Sequence, residues 1–192
     1  MKRVFLSASV PLPSRDAAYF DTADVIAIRD AVRALTIVVL EKDAQLVFGG
    51  HPAISPMIRL QIAQAGISVG DKVVMYQSRF FDRHFPVDNA AFERVILIDK
   101  VDSDREKSLA RMREEMLSGD FSCGIFIGGM EGVEDEYKMF VHLHTNVSAF
   151  PIASTGAAAL RIFKSDATVQ KHFPELQEEI SYIGLMRSLI PG

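Results

Sequence analysis

Short apolar runs that end in small or glycine residues recur along this chain, and each is followed by a longer segment of helical period. This alternation constrains the fold more than any other feature, because strand, amphipathic helix and strand in succession build a parallel sheet. The runs cover residues 4–9, 46–50, 72–76, 95–98, 123–127 and 149–154. Between the first two, Val25, Ile28, Val32, Leu35 and Val39 repeat at three and four residues, one stripe of a helix over 24–41 whose end the β-branched Ile37, Val38 and Val39 leave open. Ser55 and Pro56 start a second helix that Gly66 ends. Residues 103–117 have strong helix propensity, 131–144 follow as another helix, and an alanine-rich helix comes after Thr155-Gly156. The stretch 173–190 reads as one last helix. The segment 77–93 is long for a compact domain and is expected to be a binding loop or lid.

With 192 residues, 48% of them hydrophobic, the chain has material for one core, and no linker or repeat divides it, so residues 1–192 are expected to form a single domain. The net charge of -4 comes from 25 acidic and 21 basic residues with no basic block, which argues against long nucleic acid as a partner. The lone Cys123 sits in an apolar run, where it packs and forms no intrachain disulfide. The apolar start is interrupted by Ser7 and Ser9 and followed by Pro11 and Pro13, so it reads as a strand and not a signal peptide. The apolar stretch 35–40 is far too short to span a membrane. A soluble, cytoplasmic protein without membrane contact is expected.

Open parallel sheets bind ligands outside the carboxyl ends of their strands. Four such ends carry small residues: Ser7-Ala8-Ser9, Gly49-Gly50-His51, Gly128-Gly129-Met130-Glu131-Gly132-Val133, and Ser154-Thr155-Gly156. Glycine turns that feed helix N-termini present unpaired N–H groups to an anion, and phosphate is the natural guest. Each glycine alone is equally suited to a tight strand-to-helix turn. No G-x-G-x-x-G follows the first strand and no G-x-x-x-x-G-K-[ST] occurs, which sets aside classical dehydrogenase and P-loop readings. Arg79, Phe80, Phe81, Arg83, His84 and Phe85 mix cations with aromatics, suited to stacking on a base or to a subunit interface. His142 and His144 are two apart, so a helix points them to different faces and no metal site is expected.

The strand end Ile125-Phe126-Ile127-Gly128-Gly129-Met130-Glu131-Gly132-Val133, with Glu136 beyond it, resembles the glycine motif of the SLOG superfamily. That superfamily groups Smf/DprA DNA-processing proteins, LOG phosphoribohydrolases, and sensor domains of conflict systems and TRPM channels. Its enzymatic branch carries P-G-G-x-G-T-x-x-E, with glycines holding phosphate and the glutamate assisting cleavage of an N-glycosidic bond. Here Ile127 replaces the proline, one residue is inserted before Gly132, and Val133 replaces the threonine. Val47-Phe48-Gly49-Gly50-His51-Pro52 resembles the superfamily's other glycine-rich strand end, and the pair together resembles free-standing SLOG families of bacterial defence neighbourhoods. The resemblance implies a three-layer Rossmann-like α/β open sheet, mostly parallel, with helices on both faces. It implies Glu136 as a catalytic candidate, partnered by Arg111 or Arg113 from the preceding helix; acidic residues in a helix's first turn also suit the macrodipole with no catalytic duty.

Two functions follow as expectations. One is binding or sensing of a nucleotide or NAD/ADP-ribose-like ligand, with no separate cofactor, acting through an effector protein or a change of homo-oligomer. The other is a LOG-like hydrolysis of a nucleotide's N-glycosidic bond. A flavodoxin-like scaffold with purely structural glycines is the third reading.

Overall fold

The computed structural model describes residues 1–66, 70–85, 89 and 92–192, with Asp71 and His84 described by backbone only. Its six strands are β1 (Arg3–Ser9), β2 (Gln45–Gly49), β3 (Val73–Ser78), β4 (Arg94–Ile98), β5 (Cys123–Gly128) and β6 (Ser148–Ile152). All their pairings are parallel, in the order β4-β3-β2-β1-β5-β6. The chain moves outward from β1 through β2, β3 and β4, then returns to β1's other side for β5 and β6. Right-handed crossovers run in opposite directions on the two halves, so they put helices on opposite faces and leave a crevice between β1 and β5.

Period-two alternation within the strands supplies both faces. Val4, Leu6, Leu46, Phe48, Ile125 and Ile127 join one core with α2 (Val25–Glu41) and α3 (Ser55–Ala65). Phe5, Val47, Val74 and Phe126 join the other, under α4 (Arg105–Leu117) and α5 (Glu131–Leu143). The second face is aromatic: Phe140 of α5 stacks on Phe5 at 5.5 Å between ring centroids and meets Phe121 and Phe126 obliquely or edge-on. Gly124 makes room for this, since a Cβ there would lie 2.9 Å from the Phe140 ring. Cys123 is buried in the α2 face, and burial pushes its thiol up to about 12, so it stays protonated at neutral pH.

The helix expected over 24–41 runs Val25–Glu41, with the Asp24 carboxylate accepting from the amides of Ile26 and Ala27. The last helix is corrected. Residues 173–190 contain α8 (Glu175–Glu178) and α9 (Tyr182–Leu189), because the Glu179 carboxylate accepts from the Ser181 amide and Glu179 itself is extended. Two further short helices, α1 (Ala17–Phe20) and α7 (Ala167–His172), start at Asp16 and Asp166, which cap them; α6 (Ala157–Ser165) is the alanine-rich helix. Strand β3 runs on to Ser78, and residues 79–84 form a 3-10 helix, so the start of the expected 77–93 loop is ordered structure. Residues 86–88, 90 and 91 of that loop lie outside the described residues. No helix among the described residues is long and apolar enough to cross a membrane.

Replacing Phe140 with alanine should empty the centre of the aromatic face and cost about 3–5 kcal/mol of stability, to be read from the urea midpoint.

Candidate functional site

The crevice dictated by the strand order holds a cavity of about 500 Å³, within the usual size range for small-molecule sites. Its floor is the end of β1 and the β2 turn, where Ser7, Ser9, Gly49, Gly50 and His51 line it. One wall is the N-terminal turn of α5, with Met130, Gly132, Val133 and Glu136, and the other is α4, with Leu109, Met112 and Arg113. Met130 occupies the N-cap of α5 and its side chain makes no capping hydrogen bond; the Val133 and Glu134 amides bond the Met130 carbonyl, which leaves the first-turn amides of Glu131 and Gly132, two residues that line the cavity, without a cap. This is the arrangement that receives anions.

Burial and charge are balanced within the wall. The side chains of Arg113 and Glu136 are only 13% and 15% exposed, and Arg113 Nε donates to Glu136 Oε1 at 3.3 Å, while its Nη1 lies 3.5 Å from Asp135. Burial raises the Glu136 carboxyl above the usual range, and Arg113 opposes that rise. The Ser7 hydroxyl is close enough to favour the carboxylate, yet it meets no partner at hydrogen-bonding geometry. Ser7 is 2% exposed, so its oxygen is an orphan within the cavity wall. The other acidic groups near the helix start are matched by cations: Glu131 with Arg15 at 3.6 Å and Glu134 with Arg161 at 3.0 Å.

His51 Nδ1 accepts from the Ala53 amide at 3.2 Å, which requires the neutral ring with its proton on Nε2. Burial, aided by Arg15, lowers its pKa in agreement with that tautomer.

Several sequence candidates lie elsewhere. Gly128 and Gly129 do not line the cavity. They shape its rim, both at positive φ (55° and 89°), with the Gly128 amide donating to Thr155 Oγ1 and the Gly129 carbonyl accepting from Ala158. A Cβ on Gly129 would strike the Val133 side chain at 2.2 Å. Thr155 and Gly156 hold the neighbouring turn, and Ser154 shares a hydrogen bond with the Tyr182 hydroxyl at 3.1 Å. Arg111 is exposed on α4, so of the two candidate arginines the structure brings Arg113 to Glu136. Of the aromatic and basic cluster, Phe81 reaches the cavity; the His84 side chain lies outside the described residues. His144 Nε2 pairs with the Leu117 carbonyl at 3.0 Å.

Sequence reasoning missed Arg15, Gln77, Arg105 and Glu106, which also line the cavity. For Gln77 a signal existed, because Val73-Val74-Met75-Tyr76-Gln77-Ser78 continues as strand up to Ser78, whose hydroxyl accepts from the Phe80 amide and starts the next turn. Arg15 lies in a proline-flanked segment with no periodicity to place it.

The lowered pKa of His51 fixes a sign. A depressed folded-state value contributes stability that is present above the ordinary value near 6.5 and is lost as pH falls through the folded value. Between pH 7.5 and 5, the wild-type protein should therefore lose stability relative to His51→Asn, whose amide oxygen still accepts from Ala53; denaturant titrations at each pH measure the difference.

A search of curated proteins finds no match to the chain. The model of the SLOG cluster3 family matches residues 18–190, which takes in α2, all the strands after β1 and the glycine turn of β5. With its Rossmann-like sheet and a cavity at the point where strand order reverses, this chain belongs to the SLOG cluster3 family and is a nucleotide-related binding or processing domain.

Proposed function

We propose that the chain binds a nucleotide or nucleotide-derived ligand in the cavity between β1, α4 and α5. The observation that carries this reading is the orphaned Ser7 hydroxyl beside the uncapped start of α5. A buried hydroxyl without a partner costs about 1–3 kcal/mol, and a ligand that supplies the partner recovers it. Arg15, Arg105 and the α5 amides favour an anionic group, while Leu109 and Met112 offer apolar surface to a base or sugar. A phosphate with an organic body fits both.

A second reading, hydrolysis of an N-glycosidic bond, is favoured by one observation: Glu136, with its raised carboxyl pKa, stands in the cavity wall against Arg113. In that reaction water adds to the anomeric carbon as the bond to the base nitrogen breaks, and Glu136 takes the water's proton and delivers it to the departing base nitrogen. Against it, Val133 is buried in the aromatic core where the enzymatic motif has a threonine hydroxyl.

A thermal-shift screen with AMP, ATP, NAD, ADP-ribose and cyclic nucleotides, followed by chromatography of each mixture, separates the readings. Ligand at 100 times its dissociation constant adds roughly 2.7 kcal/mol of stability. A shift with intact ligand supports binding; a released base supports hydrolysis, and Glu136→Gln should then abolish release while leaving affinity largely unchanged. The orphan hydroxyl yields a sharper expectation. Ser7→Ala should stabilise the free protein by about 1 kcal/mol, because the unpaired group is gone, and weaken ligand binding. Lower stability in the free variant would show that the hydroxyl is satisfied without ligand.

A further inference from the structure

Among the described residues, the buried side-chain polar atoms without a hydrogen-bond partner are Ser7 Oγ and Asn89 Oδ1. Both belong to this cavity's surroundings, from opposite ends. Ser7 lies in its wall beside α5, whereas Asn89, 8% exposed, stands behind the wall at the β3 end, where its Nδ2 donates to Gln77 Oε1 at 3.4 Å. Gln77 is itself 7% exposed and lines the cavity. Room for its amide exists because residue 50 is glycine: a Cβ on Gly50 would come within 1.9 Å of Gln77 Oε1. The Phe81 side chain lines the cavity beside it.

The two ends are separated by the sheet. From β1, which carries Ser7, to β3, which carries Gln77, there is β2 between, or two strand spacings and about 10 Å. That span suits a ligand with an anion at one end and a planar ring at the other. Gln77 Oε1 has one lone pair occupied by Asn89 and one remaining, and its Nε2 carries two N–H donors, so the amide offers a donor beside an acceptor. A base edge with an amino group next to a ring nitrogen complements this pair; a carbonyl in place of the amino group sets two acceptors against each other.

Resting on the nucleotide reading above, we propose that Gln77 is the base-reading residue of the cavity: it is held by Asn89 in the space left by Gly50, and it selects nucleotides with an aminated base, adenine or cytosine, over those with a carbonyl at that position. The base covers Phe81 and the phosphate lies at the start of α5.

The test is calorimetric titration of the full chain with AMP against IMP and with CMP against UMP, since each pair differs in the amino or carbonyl group. The aminated member should bind about tenfold tighter or better in at least one pair. In Gln77→Met, similar in volume but without an amide, the ratio should fall to near one, and Asn89→Ala should reduce it in the same direction without touching the ligand. Equal affinity of wild-type protein for both members of each pair would overturn base reading by Gln77 while leaving nucleotide binding in place. An unchanged preference in a folded Gln77→Met protein would do the same. Binding of none of the four would overturn this inference, and if no compound of the thermal-shift screen binds either, the nucleotide reading falls with it. The wild-type comparison decides the matter even if the variants do not fold.

Discussion

Everything about the site depends on one constraint, that crossovers between parallel strands keep a single hand. A chain that moves outward from β1 on one side and resumes on the other has to change the face on which it lays its helices, and the carboxyl ends of β1 and β5 are left open where the two sets of crossovers part. The gap is therefore a product of topology and not of any particular side chain. The residues at its edge, Ser7, Gly49 and the start of α5, inherit their position from it. Their chemistry then decides what the gap accepts.

Charge in this region is arranged pairwise. A buried ion pair recovers its desolvation cost only with good geometry and further hydrogen bonds. Arg113 meets two carboxylates, and Glu136 keeps a raised pKa because its solvation is poorer than its pairing is strong. At the outer turn of α5, Arg161 lies over the Tyr19 ring at 4.8 Å while the Tyr19 hydroxyl donates to Glu134 at 3.1 Å. Burial and that carboxylate push the phenol up to about 12, so it donates throughout the physiological range. Acidic residues gather at the helix start as the macrodipole favours, and their neutralisation by arginines keeps the cavity from repelling an anion.

The strands were legible because each is a short apolar run, four of the six closed by small residues, a pattern that survives without tertiary context. The parallel sheet and its two helical layers followed from the alternation; a sheet expected to be mostly parallel is wholly so among the described strands. What could not be read was where a segment turns by side-chain bonding to its own backbone, as at Glu179 and Ser181. The site was legible as a set of strand ends but not as a cavity. Glycine marks both a residue that lines the cavity, as at Gly49, and a residue that a turn needs at positive φ, as at Gly129, and only the backbone separates the two. Arg111 and Arg113 differ by about 200° around a helix, which periodicity alone leaves unassigned without knowing the facing element.

Thr155 joins parts of the chain that sequence separates widely. Its hydroxyl accepts from the Gly128 amide and donates to the Ile152 carbonyl, and its own carbonyl accepts from the Asp24 amide. The glycine turn after β5 is thus braced by the turn after β6 and by the first residue before α2. These three stretches therefore act as one mechanical unit: a change in the backbone of any of them is felt by the other two, whereas β3 and α4, which also line the cavity, lie outside the brace.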